Sequence, residues 1–146
     1  EIAPSKDKLI LMTMDNILRK LGKRAFDLVS EIKSPIEKLE KYLFIVNQAV
    51  GPKFYRFMKD IEKIDGSKKM ADFHENFISE YTEKLLNEAI DMKEIRQIDT
   101  KAFSILFSSI GREFLSEKNR KLISTTPDES ANSLTSIIIN GIKLKN

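Results

Sequence analysis

Apolar residues recur at steps of three and four along almost the whole chain of 146 residues. No stretch shows the sustained alternation of apolar and polar residues that a half-buried strand requires. The only Asp-Gly pair, Asp65-Gly66, separates two helical patterns and not two candidate strands. The sequence therefore predicts an all-α fold of about six antiparallel-packed helices.

Two segments mark helix starts by their residue types. Ser34-Pro35-Ile36-Glu37 and Thr126-Pro127-Asp128-Glu129 each combine a hydroxyl cap, Pro at the first helical position and Glu at the third. The hydroxyl and the carboxylate satisfy backbone amides that have no partner within the helix, and Pro lacks the amide hydrogen that would need one. We expect the first of these helices to end before Gly51-Pro52 and the second near Lys143.

The remaining helices are predicted from periodicity. They run from Ser5 to about Lys33, from Lys53 to about Ile64, from Ser67 to about Met92 and from Asp99 to about Ser116. Gly22 lies inside the first and leaves two shorter helices as an alternative. The helix from Ser67 has apolar residues on more than one stripe, which predicts a central position. The polar residues from Glu117 to Lys121 are predicted to form a loop.

Composition excludes several functional classes. The chain has no cysteine and one histidine, with no ligand set at metal spacing and no Gly-rich phosphate loop, so we expect no metal, no cofactor and no enzyme activity. The net charge of +3 is spread along the chain and does not form a nucleic-acid footprint. The longest strongly apolar run, Ile137-Ile138-Ile139, is far shorter than the roughly 18 residues of a membrane span.

The length and the first residues of the chain lead to predictions about domain number and location. The chain is short enough for a single domain over residues 1–146. No signal peptide is visible, which favours the cytoplasm. The first residue is Glu1 and not Met, so the sequence is expected to be a fragment.

Two segments suggest a family. From Leu85 to Asp99 an apolar helix ends, a Glu94-Ile95-Arg96 turn follows, and an acidic cap opens the next helix. This junction resembles one in the C-terminal domain of TetR/AcrR-type transcriptional regulators. The segment from Ser5 to Ile10 is similar to the one that closes the helix-turn-helix of that family. Where the family commonly has glycine this chain has Ala89 and Lys93, and a left-handed Lys93 would cost roughly 1 kcal/mol.

The resemblance implies a ligand-binding and dimerisation domain of a bacterial regulator, usually a repressor. Its small apolar or aromatic effector would shift the spacing of two DNA-binding heads through the helix that starts at Ser5. The resemblance implies a homodimer that meets operator DNA only through an N-terminal domain absent from this sequence, and no membrane partner.

The resemblance also assigns candidate residues. The effector pocket would be lined by Tyr42, Val46, Phe54, Phe57, Phe73, His74, Phe77, Tyr81, Phe103 and Phe107. The dimer interface would contain Ile110, Gly111, Phe114, Leu134, Ile138, Gly141 and Ile142, and Lys6 would contact DNA phosphate. Ordinary core packing remains the alternative for each aromatic and interface residue, and a surface position for His74.

A second function fits the same helical pattern. The chain would then be a helical adaptor module that holds a partner protein in an apolar groove. An adaptor predicts an exposed apolar patch, whereas a sensing domain predicts an enclosed cavity.

Overall fold

A computed structural model describes residues 5–145 of the chain. Its helices are α1 (Lys6–Val29), α2 (Pro35–Val46), α3 (Pro52–Ile61), α4 (Ser67–Asp91), α5 (Thr100–Glu113), α6 (Glu117–Leu122) and α7 (Pro127–Ile142), and a 3-10 helix covers Asn47–Val50. No strand occurs in this range, so the all-α prediction is confirmed. None of these helices combines the length and the apolar character needed to cross a membrane. The expected fragment start at Glu1 lies outside the described residues.

The predicted helix starts are confirmed by their hydrogen bonds. Ser34 Oγ accepts from the Glu37 amide at 3.3 Å at the start of α2. Asp99 Oδ1 accepts from the Ala102 amide at 3.0 Å at the start of α5. At α7 the capping box forms, with the Thr126 amide donating to Glu129 Oε1 at 3.3 Å. Each cap provides a partner for an amide that the helix itself leaves unpaired.

Two boundary predictions were wrong, and one needs a change of helix type. α1 ends at Val29 because the Ser30 amide and hydroxyl both turn back to the carbonyl of Asp27, and Gly22 does not interrupt it. α2 itself ends at Val46, and a 3-10 helix continues to Val50, so the helical segment ends before Gly51-Pro52 as predicted. The predicted loop after Ser116 is the short helix α6, because Ser116 Oγ accepts from the Asn119 amide at 3.1 Å. The described part of the chain thus has seven α-helices, not six.

The core lies between α2, α4, α5 and α7. α4 packs against α1, α2 and α5, and α7 packs against α2 and α5, so the predicted central position of the long helix is confirmed. The largest fully buried side chains include Tyr42, Phe107, Leu39, Leu43, Leu85, Leu86 and Ile139. Burial of this apolar surface is the main favourable contribution to folding.

α4 ends in a Schellman motif at Lys93. This residue has φ of 59°, the left-handed conformation that glycine adopts most easily. The Lys93 amide donates to the carbonyl of Ile90 at 2.9 Å, and the Glu94 amide donates to that of Ala89 at 2.8 Å. These bonds satisfy the carbonyls that a helix end leaves free.

The turn that follows, residues 93–96, connects three helices. The carboxylate of Glu94 accepts from the Ile36 amide at 2.9 Å, which caps α2 from a distant part of the chain. Its carbonyl accepts from the Leu144 amide at 2.9 Å, and the Arg96 amide donates to the carbonyl of Ile142 at 3.0 Å. Ile95 is buried in the core. The 93–96 turn therefore joins the end of α4, the start of α2 and the end of α7.

Lys93→Gly is expected to raise the free energy of unfolding by about 1 kcal/mol, because glycine adopts the left-handed conformation without the steric cost of a Cβ. Urea denaturation followed by circular dichroism measures the change.

Lys84→Gly is the matched control, since Lys84 is an exposed residue inside the same helix. That substitution is expected to lower the free energy of unfolding by about 1 kcal/mol. Loss of stability at both positions would contradict the strain assigned to Lys93.

Candidate functional site

An apolar groove lies between α1, α2 and α4. Its volume is about 440 Å³, within the range of small-molecule sites in proteins. It is lined by Leu18, Arg19, Leu21, Gly22, Lys23, Phe26, Tyr42, Val46, Ala49, Phe73, His74, Phe77 and Ile78. We call this the α1–α4 groove.

α1 forms one wall of the groove and leaves space at its centre. A Cβ added to Gly22 would meet no heavy atom within 4 Å. On the opposite wall Phe73 and Phe77 are each 54% exposed, so the groove opens to solvent along α4. The groove is therefore not the enclosed cavity that a sensing domain predicts. Its open side would let a ligand enter without unfolding of the walls.

One end of the groove is aromatic. The Tyr42 ring lies edge-on to Tyr81 with centroids 4.8 Å apart, and Tyr81 lies 5.3 Å from Phe26. Within residues 5–145 the buried hydroxyl of Tyr42 has no hydrogen-bond partner. Burial raises the pKa of Tyr42, so the hydroxyl keeps its proton at neutral pH and can donate it to a ligand oxygen.

A polar network lies at the other end. Asp15 binds the Nε of Arg19 at 2.8 Å and the Nε2 of His74 at 2.8 Å. The guanidinium of Arg19 also lies 5.3 Å from the Phe73 centroid. The hydrogen bond from Arg19 lowers the pKa of Asp15, which keeps this carboxylate ionised at neutral pH. The network joins α1 to α4 at the opening of the groove.

The groove contains half of the predicted pocket residues. Tyr42, Val46, Phe73, His74 and Phe77 line it. Tyr81 packs behind Tyr42, Phe107 is buried in the core, with Phe103 packed against that core, and Phe54 and Phe57 lie on α3 outside the groove lining. A position on a helix that borders the groove does not by itself place a side chain in the groove, because the rotation of the helix decides where that side chain points.

No residue of α1 was predicted to line the pocket. Leu18, Leu21 and Phe26 line the groove, and Leu18 and Leu21 belong to the apolar stripe of that helix. The sequence did contain a signal for a role of α1 in the groove: the helix is long, and its apolar stripe continues past the residues needed for packing on α2.

Each of the two helices α5 and α7 contains a run without charged residues that carries exposed apolar side chains. No charged residue occurs from Ala102 to Gly111 or from Ser130 to Ile142, although 32% of the chain is charged. Four apolar side chains are exposed there: Ile105 (56%), Leu106 (44%), Leu134 (38%) and Ile137 (65%). We call these four residues the uncharged face.

The predicted interface residues are divided between core and surface. Ile110, Gly111 and Ile142 are buried within the chain, Phe114 and Ile138 are half-buried, and Leu134 and Gly141 are exposed. Gly111 is needed for close packing, because a Cβ there would lie 2.9 Å from Val50 Cγ2. Sequence reasoning missed Ile105, Leu106 and Ile137, for which the two uncharged runs were an available signal. Lys6 is exposed at the start of α1.

A second depression lies between α3, α4 and the end of α5, with a volume of about 570 Å³. Its lining is more polar, and most of its charged groups form ion pairs, such as Lys59 with Glu117 at 3.7 Å and Arg112 with Glu75 at 3.0 Å. In residues 5–145 no cluster of three acidic or histidine side chains is placed to hold a metal ion. The α1–α4 groove is therefore the better candidate for an apolar ligand.

Compared with known proteins, the chain matches no protein-family model, no curated protein and no solved structure.

Two glycines are expected to respond in opposite ways to alanine. Gly111→Ala is expected to lower the free energy of unfolding by about 1–3 kcal/mol, because the added methyl group overlaps Val50. Gly22→Ala is expected to raise it by up to about 1 kcal/mol, because alanine favours the helix and the methyl group enters empty space. Urea denaturation of both variants tests the pair, and equal effects would contradict the packing described.

Proposed function

We propose that the chain is the small-molecule-sensing and dimerisation domain of a bacterial transcriptional regulator of the TetR type, acting in the cytoplasm. Ligand binding in the α1–α4 groove would change the position of α1 and thereby the operator affinity of an N-terminal DNA-binding domain. The resemblance of the Leu85–Asp99 junction and of the segment from Ser5 to Ile10 supports the family.

The observation that carries the proposal is that α1 forms one wall of the apolar groove. In the proposed regulator this helix follows the DNA-binding domain directly. A ligand that prefers one position of α1 would shift the population toward it by as much as its affinities for the two positions differ. Two DNA-binding heads must meet half-sites at a fixed separation, so a small displacement of α1 lowers operator affinity.

The uncharged face supports the dimer. Large exposed apolar patches on soluble proteins often mark sites of protein–protein interaction. α5 and α7 pack against each other, and both carry exposed apolar residues on runs that lack charge. Two copies of this pair can form a four-helix interface, in which the same surface of each copy meets the other about a two-fold axis.

Gly22→Leu is expected to abolish ligand binding in the groove without loss of stability. Leucine favours helix formation about as well as most residues do, and its side chain fills the space that the ligand would take. A panel of apolar and aromatic compounds should raise the melting temperature of the unmodified chain and not that of the variant.

Lys20→Leu is the matched control for this experiment. Lys20 is an exposed residue of the same helix, two positions from Gly22, and it does not line the groove. Its variant should keep the ligand response. If no compound raises the melting temperature of the unmodified chain, the sensing function is overturned.

Ile137→Glu is expected to convert a dimer into a monomer, because it places a charge in the centre of an apolar interface. Sedimentation velocity across a concentration series measures the state. Leu28→Glu is the control: Leu28 is 50% exposed on α1, which packs against α2 and α4, and its variant should remain dimeric. An unmodified chain that sediments as a monomer at high concentration would contradict the dimer.

A helical adaptor is the second candidate function, and one observation favours it. Phe26, Phe73 and Phe77 are exposed along the opening of the groove, which is how a surface that holds a partner helix is arranged. An adaptor would bind an amphipathic peptide and show no response to small apolar compounds.

A further inference from the structure

The charged side chains that line the α1–α4 groove are all cationic. Arg19 and Lys23 line it, and no aspartate or glutamate does. Both lie on α1 one turn apart, at the side of the groove that also contains Gly22. Each of these cations pairs with an aspartate outside the lining, and together they would favour an anionic ligand over a cationic one.

The acidic partners of these cations leave donors available. Arg19 contacts Asp15 through Nε, so the four N–H groups on its two terminal nitrogens remain for another acceptor. Lys23 pairs with Asp27 at 2.8 Å in an exposed contact one helical turn away. Exposed pairs of this kind contribute little stability, so a ligand anion can recruit Lys23 at low cost.

Arg19 is also held in place before any ligand arrives. Its guanidinium lies over Phe73 and is fixed by Asp15, which in turn is held by His74. A planar guanidinium held in this way matches the two oxygens of a carboxylate. Because Asp15 already contacts Arg19 and His74, its negative charge is partly compensated at the opening.

The Tyr42 hydroxyl defines a second polar contact. It belongs to a residue that lines the groove, it is buried, and within the described residues it has no hydrogen-bond partner. A buried hydroxyl without a partner is unfavourable, and an oxygen on a ligand would satisfy it. The groove lining thus contains two cations, apolar side chains and one buried hydroxyl that has no partner within the described residues.

We propose that the α1–α4 groove binds an apolar carboxylic acid whose carboxylate pairs with Arg19 and Lys23 and which bears a second oxygen that accepts from Tyr42. The inference rests on the proposed sensing function, because it takes the groove as a small-molecule site. It narrows the effector from any apolar or aromatic molecule to an acid with an alkyl or aryl body.

Probes that share one ring system test the charge preference on the full chain. Calorimetry with 2-naphthoate, 2-naphthol and naphthalen-2-ylmethylammonium compares an anion, a neutral molecule and a cation of similar size. We expect 2-naphthoate to bind at least about tenfold more tightly than the other two. Dodecanoate and dodecan-1-ol, used below their aggregation concentrations, repeat the comparison with an alkyl body and show which kind of body the groove prefers.

Two charge-neutralising double variants test the residues. Arg19→Gln with Lys23→Gln is expected to lower the affinity for 2-naphthoate about tenfold or more and to leave that for 2-naphthol unchanged. Lys20→Gln with Arg24→Gln removes the same charge from exposed positions of α1 that do not line the groove, and it should leave both affinities unchanged. Equal losses in the two double variants would show an effect of net charge and overturn the assignment.

Tyr42→Phe tests the second contact. It is expected to lower the affinity for 6-hydroxy-2-naphthoate severalfold and to leave that for 2-naphthoate unchanged. Its melting temperature without ligand should not fall, because the deleted hydroxyl has no partner to lose. A fall in both affinities would overturn the contact.

The outcomes separate this inference from the proposed function. If 2-naphthol binds as tightly as 2-naphthoate and Gly22→Leu abolishes both, the groove is a small-molecule site and the acid preference is wrong. If no probe of any charge binds, both proposals are overturned.

Discussion

The left-handed Lys93 and the 93–96 turn that it starts are the constraint on which the other contacts depend. Four backbone hydrogen bonds and one side-chain bond start from this turn, and they reach the ends of α2, α4 and α7. Buried backbone groups must find partners, so the turn sets the position of the start of α2 relative to the ends of α4 and α7. A different conformation at Lys93 would release the carbonyl of Ala89, the cap of α2 and the C-terminal segment together.

The helix α4 contributes to both the core and the groove. Its later half packs through Leu85, Leu86 and Ala89 into the core, while its earlier half presents Phe73, His74 and Phe77 to α1. The core half is fixed by the 93–96 turn, so the earlier half extends as a rigid wall opposite α1. α1 meets that wall through the Asp15–His74 contact and through aromatic packing, and the open groove between them takes the place of a continuous interface.

The groove and the uncharged face occupy different parts of the fold and are connected by α4 and α5, which pack along each other. Ser79 and Ser104 make a hydrogen bond of 3.3 Å across this contact, and Phe107 is buried beside it. Because close-packed protein interiors transmit strain, this contact would carry a displacement from the groove to the uncharged face in the proposed regulator.

The sequence by itself determined the helices and most of their starts, because caps and apolar periodicity are local properties. Ser34 and Asp99 each accept from an amide three residues away, and the Thr126 amide donates to the carboxylate of Glu129. It did not find α6, whose cap Ser116 lies in a polar run without periodicity, and it placed Phe54, Phe57 and Phe103 in a pocket that they do not line. Only the tertiary structure decided which side of each helix faces a neighbour. Helix rotation follows from long-range contacts, such as Glu94 with the Ile36 amide and Gly111 against Val50, that no local pattern contains.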